Sequence, residues 1–332
     1  MANLYDARGN VIAIDGSYLS PITYTVGQNG NFRTLNEAFT AATDKYPAYK
    51  KGGVKVRLKI LAGTTINEQI AVVGADFSYV TIIAEDKVVP VNVDGFSANG
   101  LDQHDLRTPN VGAFIGGENG AGLPTIGCVF EVAQNTRGIS VVGYFANRSS
   151  KGVVLANNGF IGFNDGVIAN NESSITIREG TAKNMARWGV HARHNGEVSA
   201  RSAVLTNCKG IAAYADRVAN LDVREADLSN SVQAIQANNA SQICANGAHY
   251  AYTDAKKASC LVSSNSGSMI ACGTMEIKNP NCTTIFGVSY GGLMVIHGLT
   301  GFSNQKGCKV MSKAINAINM HGIIFSDSTY AG

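Results

Sequence analysis

The segments Gly166-Val-Ile-Ala-Asn170, Gly189-Val-His-Ala-Arg193 and Gly210-Ile-Ala-Ala-Tyr214 share one pattern, and this pattern decides the fold class. After the glycine, small or aliphatic residues alternate with variable ones, and Ala234-Ile-Gln-Ala-Asn238 and Cys260-Leu-Val-Ser-Ser264 are looser copies. Alternation with period two is typical of β-strands rather than helices. The sequence therefore predicts a series of short, equivalent strands.

A second series lies about ten residues further along each copy. Its members are Ile175-Thr-Ile-Arg178, Val198-Ser-Ala-Arg201, Leu221-Asp-Val-Arg224 and Ile243-Cys-Ala-Asn246. A third column, Asn184, Asn207 and Asn230, predicts a left-handed turn residue whose amide hydrogen-bonds along the stack. Repeats of this length with two or three strands each predict an all-β parallel β-helix of about 24 residues per coil.

The composition agrees with this fold and excludes several classes of protein. The chain has 332 residues with 37 Gly, only 6 Pro and 45% hydrophobic residues, which is enough for a large core. A net charge of +3 does not imply nucleic-acid binding, and no apolar run is long enough to insert into a membrane. Residues 1–10 are too polar for a signal peptide, and the 7 Cys lack paired spacing, so we expect free, buried thiols.

The N-terminal third predicts a short arm followed by the start of the coils. Residues 1–25 are predicted as an arm or hairpin, and residues 26–332 as the β-helix, with regular coils over 128–325. Thr34 and Glu37 form a capping box that predicts a capping helix over 34–44. Strands are expected at 54–61, 69–73 and 80–83. Residues 95–127 are predicted as an irregular insertion, either a disordered excursion or a functional loop.

Several of these segments resemble a known family. Val26-Gly-x-x-Gly30-x-Phe-x-Thr34-Leu-x-x-Ala38, followed by Lys59-Ile-Leu-Ala-Gly63 and Val80-Thr-Ile-Ile83, is similar to the start of pectate-lyase-like right-handed β-helices. The coils from Asn157 to Gly196 resemble those of bacteriophage tailspike and tail-fibre proteins. The motifs are specific for architecture and say little about chemistry.

This resemblance implies a function and a location. Such proteins are homotrimers of the phage tail or baseplate, made in the host cytoplasm and acting on the virion at the bacterial surface. They bind, and often depolymerise, capsular polysaccharide, and the resemblance implies no cofactor. The coils run almost to Gly332, so a short spike or a piece of a longer one is expected.

Strand alternation selects the residues that are expected to face outward. If Val190 and Ala192 point into the core, then His191 and Arg193 point out, and Tyr214 is expected to stack on Arg193 one coil away. By the equal spacing of the copies, Ala212 is also expected to point out. Trp188 precedes Gly189 at a coil corner, where it either stacks on sugar rings or packs under a loop.

Arg178, Arg201 and Arg224 are expected to point out on consecutive coils, with Lys183 nearby. Stacked like charges repel and require compensation. The compensation is either a network with neighbouring carboxylates or an anionic ligand held by guanidinium groups. Both alternatives remain open at the level of sequence.

Three mechanisms are compatible with these residues. In β-elimination of a uronate, Arg193, Arg201 or Arg224 neutralises the carboxylate while His191 or Tyr214 transfers the proton. Hydrolysis would use two carboxyl groups among Asp222, Glu197 and Glu225. The third alternative is a spike that binds without cleavage. His191-Ala-Arg-His194 lacks a third ligand, so no metal site is expected.

Overall fold

The computed structural model describes residues 3–5, 11–14, 21–45, 55–97, 112–253, 258–278, 282–296 and 323–326. Within these ranges the chain is all-β, with one helix and long parallel sheets. The exception to parallel pairing is Asn3–Tyr5, which pairs antiparallel with Val11–Ile14 in the N-terminal arm. No helix in the described ranges is long and apolar enough to cross a membrane.

Two long sheets run along the molecule. The nine-stranded sheet contains Ile70–Val73, Gly112–Glu118, Val141–Ala146, Asp165–Ala169, Trp188–Arg193, Ile211–Asp216, Gln233–Asn238, Ala258–Asn265 and Cys282–Ser289. The eight-stranded sheet contains Lys151–Val153, Ser174–Thr176, Glu197–Ser199, Asn220–Asp222, Gln242–Cys244, Met269–Ala271, Leu293–Ile296 and Ile323–Ser326.

The remaining parallel strands form shorter sheets. Ile22–Val26, Val56–Ile60, Val80–Ala84 and Thr125–Gly127 form one four-stranded sheet. Val89–Asn92, Val129–Gln134, Gly159–Ile161 and Thr181–Lys183 form a second, and His249–Ala251 pairs with Glu276–Lys278. From Val141 onward the chain enters the nine-stranded sheet, the eight-stranded sheet and, in most passes, a shorter strand or bridge before it returns.

The strand register follows the predicted repeat in the eight-stranded sheet. Ile175, Val198, Leu221 and Ile243 are successive Cα partners, as the second sequence series predicts. Each strand therefore pairs with the equivalent strand from the next pass of the chain. This arrangement is consistent with a parallel β-helix.

In the nine-stranded sheet the predicted register is wrong by two residues at the third segment, and by one residue at the fifth, where Ile235 lies opposite Val262 rather than Leu261. Val190 lies opposite Ala213, so Gly189 corresponds to Ala212 rather than to Gly210. The two glycines serve different packing needs. A Cβ at Gly189 would lie 2.5 Å from the Ala212 carbonyl oxygen, and one at Gly210 would lie 2.4 Å from the Arg187 carbonyl oxygen in the preceding turn. The recurrence of glycine therefore did not mark one structural position.

The prediction of an irregular insertion over 95–127 is also wrong in part. Gly112–Glu118 and Thr125–Gly127 are strands that pair in parallel with their neighbours. The glycines are required by packing, since a Cβ at Gly117 would lie 2.8 Å from Leu123 Cδ2. Glycine content therefore reflects close contact rather than irregular backbone, and residues 98–111 lie outside the described ranges.

The helix predicted over 34–44 spans Leu35–Thr43. The Thr34 side chain accepts a hydrogen bond from the Glu37 amide, and the Glu37 carboxylate accepts one from the Thr34 amide. These two bonds form the predicted capping box. The apolar face of the helix is buried. The Tyr79 hydroxyl donates a hydrogen bond to the Ala42 carbonyl oxygen, near the end of the helix, at 2.7 Å. The strands predicted at 54–61, 69–73 and 80–83 are observed close to these bounds.

No disulfide joins the cysteines in the described ranges, as predicted. Cys128, Cys208, Cys272 and Cys282 are buried, whereas Cys244 and Cys260 are half-buried. Burial raises the pKa of Cys208 and of Cys272 to about 12, so these thiols stay protonated and unreactive at neutral pH. Cys308 lies outside the described residues.

Candidate functional site

Trp188, His191 and Tyr214 pack together on the outer side of the nine-stranded sheet, and we call them the aromatic cluster. The His191 ring stacks on Tyr214 with centroids 4.4 Å apart and an interplanar angle of 16°. The Trp188 ring lies edge-on to His191 at 4.4 Å and tilted against Tyr214 at 5.3 Å. Three rings from two neighbouring strands thus form one continuous surface.

The register explains why these rings meet. His191 and Tyr214 are Cα partners on adjacent strands, whereas Arg193 is the partner of Asp216. The prediction that Tyr214 stacks on Arg193 is therefore wrong by two residues, for the reason given above for Gly210. Ala212, which was predicted to point out, is instead part of the buried core.

The alternation of faces is confirmed, but the predicted exposure is not. Val190 and Ala192 belong to the main core, while His191 and Arg193 are only 1% and 4% exposed. The outer side of this sheet carries a second apolar cluster of its own, formed by Ala113, Val142, Phe145 and Ile168, against which Trp188 packs. Alternation assigns a side chain to a face, and it does not determine whether that face is solvated.

His191 is an unusual buried histidine. Neither ring nitrogen has a hydrogen-bond partner among the described residues. Burial lowers its pKa well below the usual range, and the charges of Arg193, Arg187, His194 and Arg217 lower it further. The imidazole is therefore neutral at neutral pH, and one of its nitrogens carries no proton.

Trp188 is held in place by an ion pair between half-buried Arg187 and fully buried Asp165. Asp165 is fully buried and accepts from Arg187 Nε at 2.8 Å and from a second guanidinium nitrogen of Arg187. Asp165 also accepts from the Trp188 amide at 3.2 Å, and the Arg187 guanidinium lies 3.8 Å from the centroid of the indole. Burial raises the pKa of Asp165, and Arg187 opposes that rise. The indole is therefore fixed both through its backbone and across its ring face.

Sequence reasoning missed Asp165. The signal was present, because an aspartate opens an otherwise apolar strand one repeat before Trp188. A carboxylate at such a position requires a cationic partner, and Arg187 stands one residue before Trp188.

The three stacked arginines are exposed, as predicted, and they lie in turns after strands of the eight-stranded sheet. Arg201 pairs with Glu225 at 2.7 Å, and Arg224 pairs with Asp222 at 2.7 Å. Arg178 Nε donates to the Ser199 hydroxyl at 2.9 Å. Carboxylates therefore compensate the charges of Arg201 and Arg224, whereas Arg178 binds a neutral hydroxyl group.

Two of the three candidate carboxylates, Asp222 and Glu225, are held ionised. Burial would raise the pKa of Asp222, but the hydrogen bonds and charge of Arg224 outweigh it, so the pKa is lowered. Hydrogen bonds from Arg201 and Ser202 lower the pKa of Glu225. Glu197 is exposed on its strand, opposite Asn220. A glycosidase needs one carboxyl group with a raised pKa as the general acid, and neither Asp222 nor Glu225 has this property.

The predicted site residues do not form one site. The aromatic cluster lies on the nine-stranded sheet, Arg178, Arg201 and Arg224 follow the eight-stranded sheet, and Lys183 is half-buried on a four-stranded sheet opposite Ile161. The structure instead groups Trp188, His191 and Tyr214 with Arg187 and Asp165.

The burial of neutral His191 predicts a pH-dependent stability. Below about pH 6.5 the unfolded state binds a proton that the folded state does not, so unfolding becomes easier as the pH falls. Between pH 8 and about pH 5.5 the loss from this residue is on the order of 1 kcal/mol. Chemical denaturation of the parent and of His191→Phe at both pH values measures this loss of unfolding free energy. The pH dependence should be smaller in the variant, in which only the other titrating groups remain, and equal pH dependence in both proteins would contradict the neutral, buried state.

Among the described residues, no group of three or more His, Cys, Asp or Glu side chains is arranged to hold a metal ion.

Comparison with protein-family models finds no match, and comparison with curated proteins finds none either.

Proposed function

We propose that the chain forms a right-handed parallel β-helix with about 24 residues per coil, and that it belongs to a tailspike-like protein that binds an acidic bacterial surface polysaccharide. The observation that carries the proposal is the aromatic cluster with Trp188 fixed by Arg187 and Asp165. The resemblance of the coils to tailspikes adds the context of a homotrimer on a phage virion.

The chemistry of the aromatic cluster suits a sugar. Pyranose rings present C–H faces that pack on aromatic rings, and Trp188 and Tyr214 are both partly accessible. The Tyr214 hydroxyl accepts from Asn238 Nδ2 at 3.1 Å, which places an amide beside the ring edge. Arg187 beside the indole adds positive charge that favours an acidic polymer. Pre-ordered rings lower the entropic cost of binding.

Cleavage by β-elimination is the second candidate, and the stacking of neutral His191 on Tyr214 is the observation that suggests it. A neutral imidazole with a free lone pair can accept the proton α to a uronate carboxylate, and Tyr214, stacked on it, can return one to the leaving oxygen. Because His191 is 1% exposed, cleavage requires the polymer to uncover the ring on binding. Hydrolysis is disfavoured because Asp222 and Glu225 are held ionised by arginine.

Incubation with a panel of purified acidic and neutral capsular polysaccharides tests the proposal. Co-sedimentation with the polymer measures binding, and the mass of any product measures cleavage. We expect saturable binding to at least one acidic polymer. An unsaturated product would add lyase activity, and it should disappear in His191→Gln. A lack of binding to every polymer would refute the proposed function.

A further inference from the structure

A groove lies at the turn that leads into the nine-stranded sheet, next to the aromatic cluster. Its cavity is about 290 Å³, and its lining includes Asn184, Asn207 and Asn230 from three successive passes of the chain, together with Lys209 and Tyr252. We call it the asparagine groove.

The backbone of this turn does not use the side-chain amides of its three asparagines for its own N–H groups. Asn184, Asn207 and Asn230 have φ angles of 59°, 59° and 57°, which confirms the left-handed turn predicted from the sequence. Their backbone N–H groups donate to Thr206, Ser229 and Ala251 of the next pass. The backbone N–H groups of the three asparagines are therefore satisfied without their own side chains.

The predicted ladder of amide hydrogen bonds is not what joins these residues. Asn230 Oδ1 accepts from the backbone amide and the hydroxyl of Thr253, at 2.7 and 2.9 Å. Asn207 Nδ2 has only a 3.5 Å contact with its neighbour Thr206. No hydrogen bond links the amides of Asn184, Asn207 and Asn230 to one another within the described part of the chain. The side-chain amides of Asn184 and Asn207 therefore remain available to a ligand.

The charge and spacing of the groove define the ligand. Lys209 is exposed, and it forms no ion pair among the residues that the structure describes. Neighbouring strands of a sheet are about 4.8 Å apart, so three passes span about 10 Å, roughly the length of a disaccharide. Amides bind hydroxyl groups as donor and acceptor, and an ammonium group binds a carboxylate.

The groove also adjoins the aromatic cluster. The Lys209 amide donates to the Met185 carbonyl oxygen at 2.9 Å, and Gly210 packs against the Arg187 backbone, where a Cβ would lie 2.4 Å from the carbonyl oxygen. Arg187 in turn contacts Trp188. One polymer can therefore occupy both surfaces.

We propose that the asparagine groove is a binding site for the carboxylated sugar of the polysaccharide, with Lys209 on the carboxylate and the amides of Asn184 and Asn207 on hydroxyl groups. This inference rests on the proposed function and adds a second site to it, with the chemical class of sugar that this site selects.

Calorimetric titration with a defined oligogalacturonate and with its methyl ester tests the inference. In Lys209→Gln the Kd for the oligogalacturonate should rise about tenfold, while the Kd for the ester should stay unchanged. Asn207→Ala should weaken both ligands. Lys151→Gln, an exposed lysine on the eight-stranded sheet, is the matched control and should bind like the parent.

An oligogalacturonate that does not bind, or that binds Lys209→Gln as tightly as the parent, would overturn the inference. Quenching of Trp188 fluorescence by capsular polysaccharide reports separately on the aromatic cluster. If the polysaccharide quenches Trp188 fluorescence but the Kd of Lys209→Gln for the oligogalacturonate equals that of the parent, the groove is not a binding site and the proposed function still holds. Failure of the proposed function would appear instead as the absence of quenching by every polymer.

Discussion

Replacement of Arg187 by alanine is expected to lower the free energy of unfolding by about 3–5 kcal/mol. The substitution leaves Asp165 fully buried without its cation, and a buried, unpaired carboxylate is costly. Its pKa then rises further, so Asp165 binds a proton more readily in the folded state than in the unfolded state. The deficit should therefore shrink as the pH falls into the range where carboxyl groups protonate. Urea denaturation at neutral and at acidic pH measures both effects.

The matched control is Arg201→Ala, which removes an ion pair of similar length in which both side chains are exposed. Exposed pairs contribute about 0–1 kcal/mol, so this variant should unfold close to the parent. Equal destabilisation in the two variants would contradict the assignment of Asp165 and Arg187 as the buried support of the aromatic cluster.

Replacement of Trp188 by alanine is expected to raise the Kd for the polysaccharide at least about 30-fold, which corresponds to about 2 kcal/mol. The variant loses the largest apolar surface of the aromatic cluster and the partner of the Arg187 guanidinium. Calorimetry with the polymer that binds the parent protein measures the change.

Tyr290→Ala is the control for loss of an aromatic ring, because Tyr290 is 57% exposed and lies after Cys282–Ser289, three strands beyond Ile211–Asp216 in the same sheet. It should bind the polymer like the parent. Binding that survives in Trp188→Ala, or that is lost equally in Tyr290→Ala, would exclude the aromatic cluster as the site.

The sequence predicts those features that depend on local pattern. The alternation around Ile175, Val198 and Leu221 assigned both the strand and the register of the eight-stranded sheet, because each inward side chain must fill the same layer of the core. The left-handed turn at Asn184 and the helix cap at Thr34 are likewise local effects of side-chain and backbone geometry.

The features that sequence pattern missed depend on contacts between distant residues. The burial of His191 follows from an apolar outer face to which Phe145 and Ile168 contribute from other passes of the chain. The stacking of His191 on Tyr214 required the true register, which the glycine at 210 obscured. The pairing of Asp165 with Arg187 appears only once their strands are aligned.

The central claim is that polysaccharide binds at the aromatic cluster, and Trp188 is the only tryptophan of the chain. Titration of the unmodified protein with an acidic capsular polysaccharide, followed by intrinsic tryptophan fluorescence, therefore reports on the surroundings of Trp188. We predict a saturable change in emission at the concentrations at which the polymer co-sediments with the protein. Co-sedimentation without any change in Trp188 emission would contradict the claim.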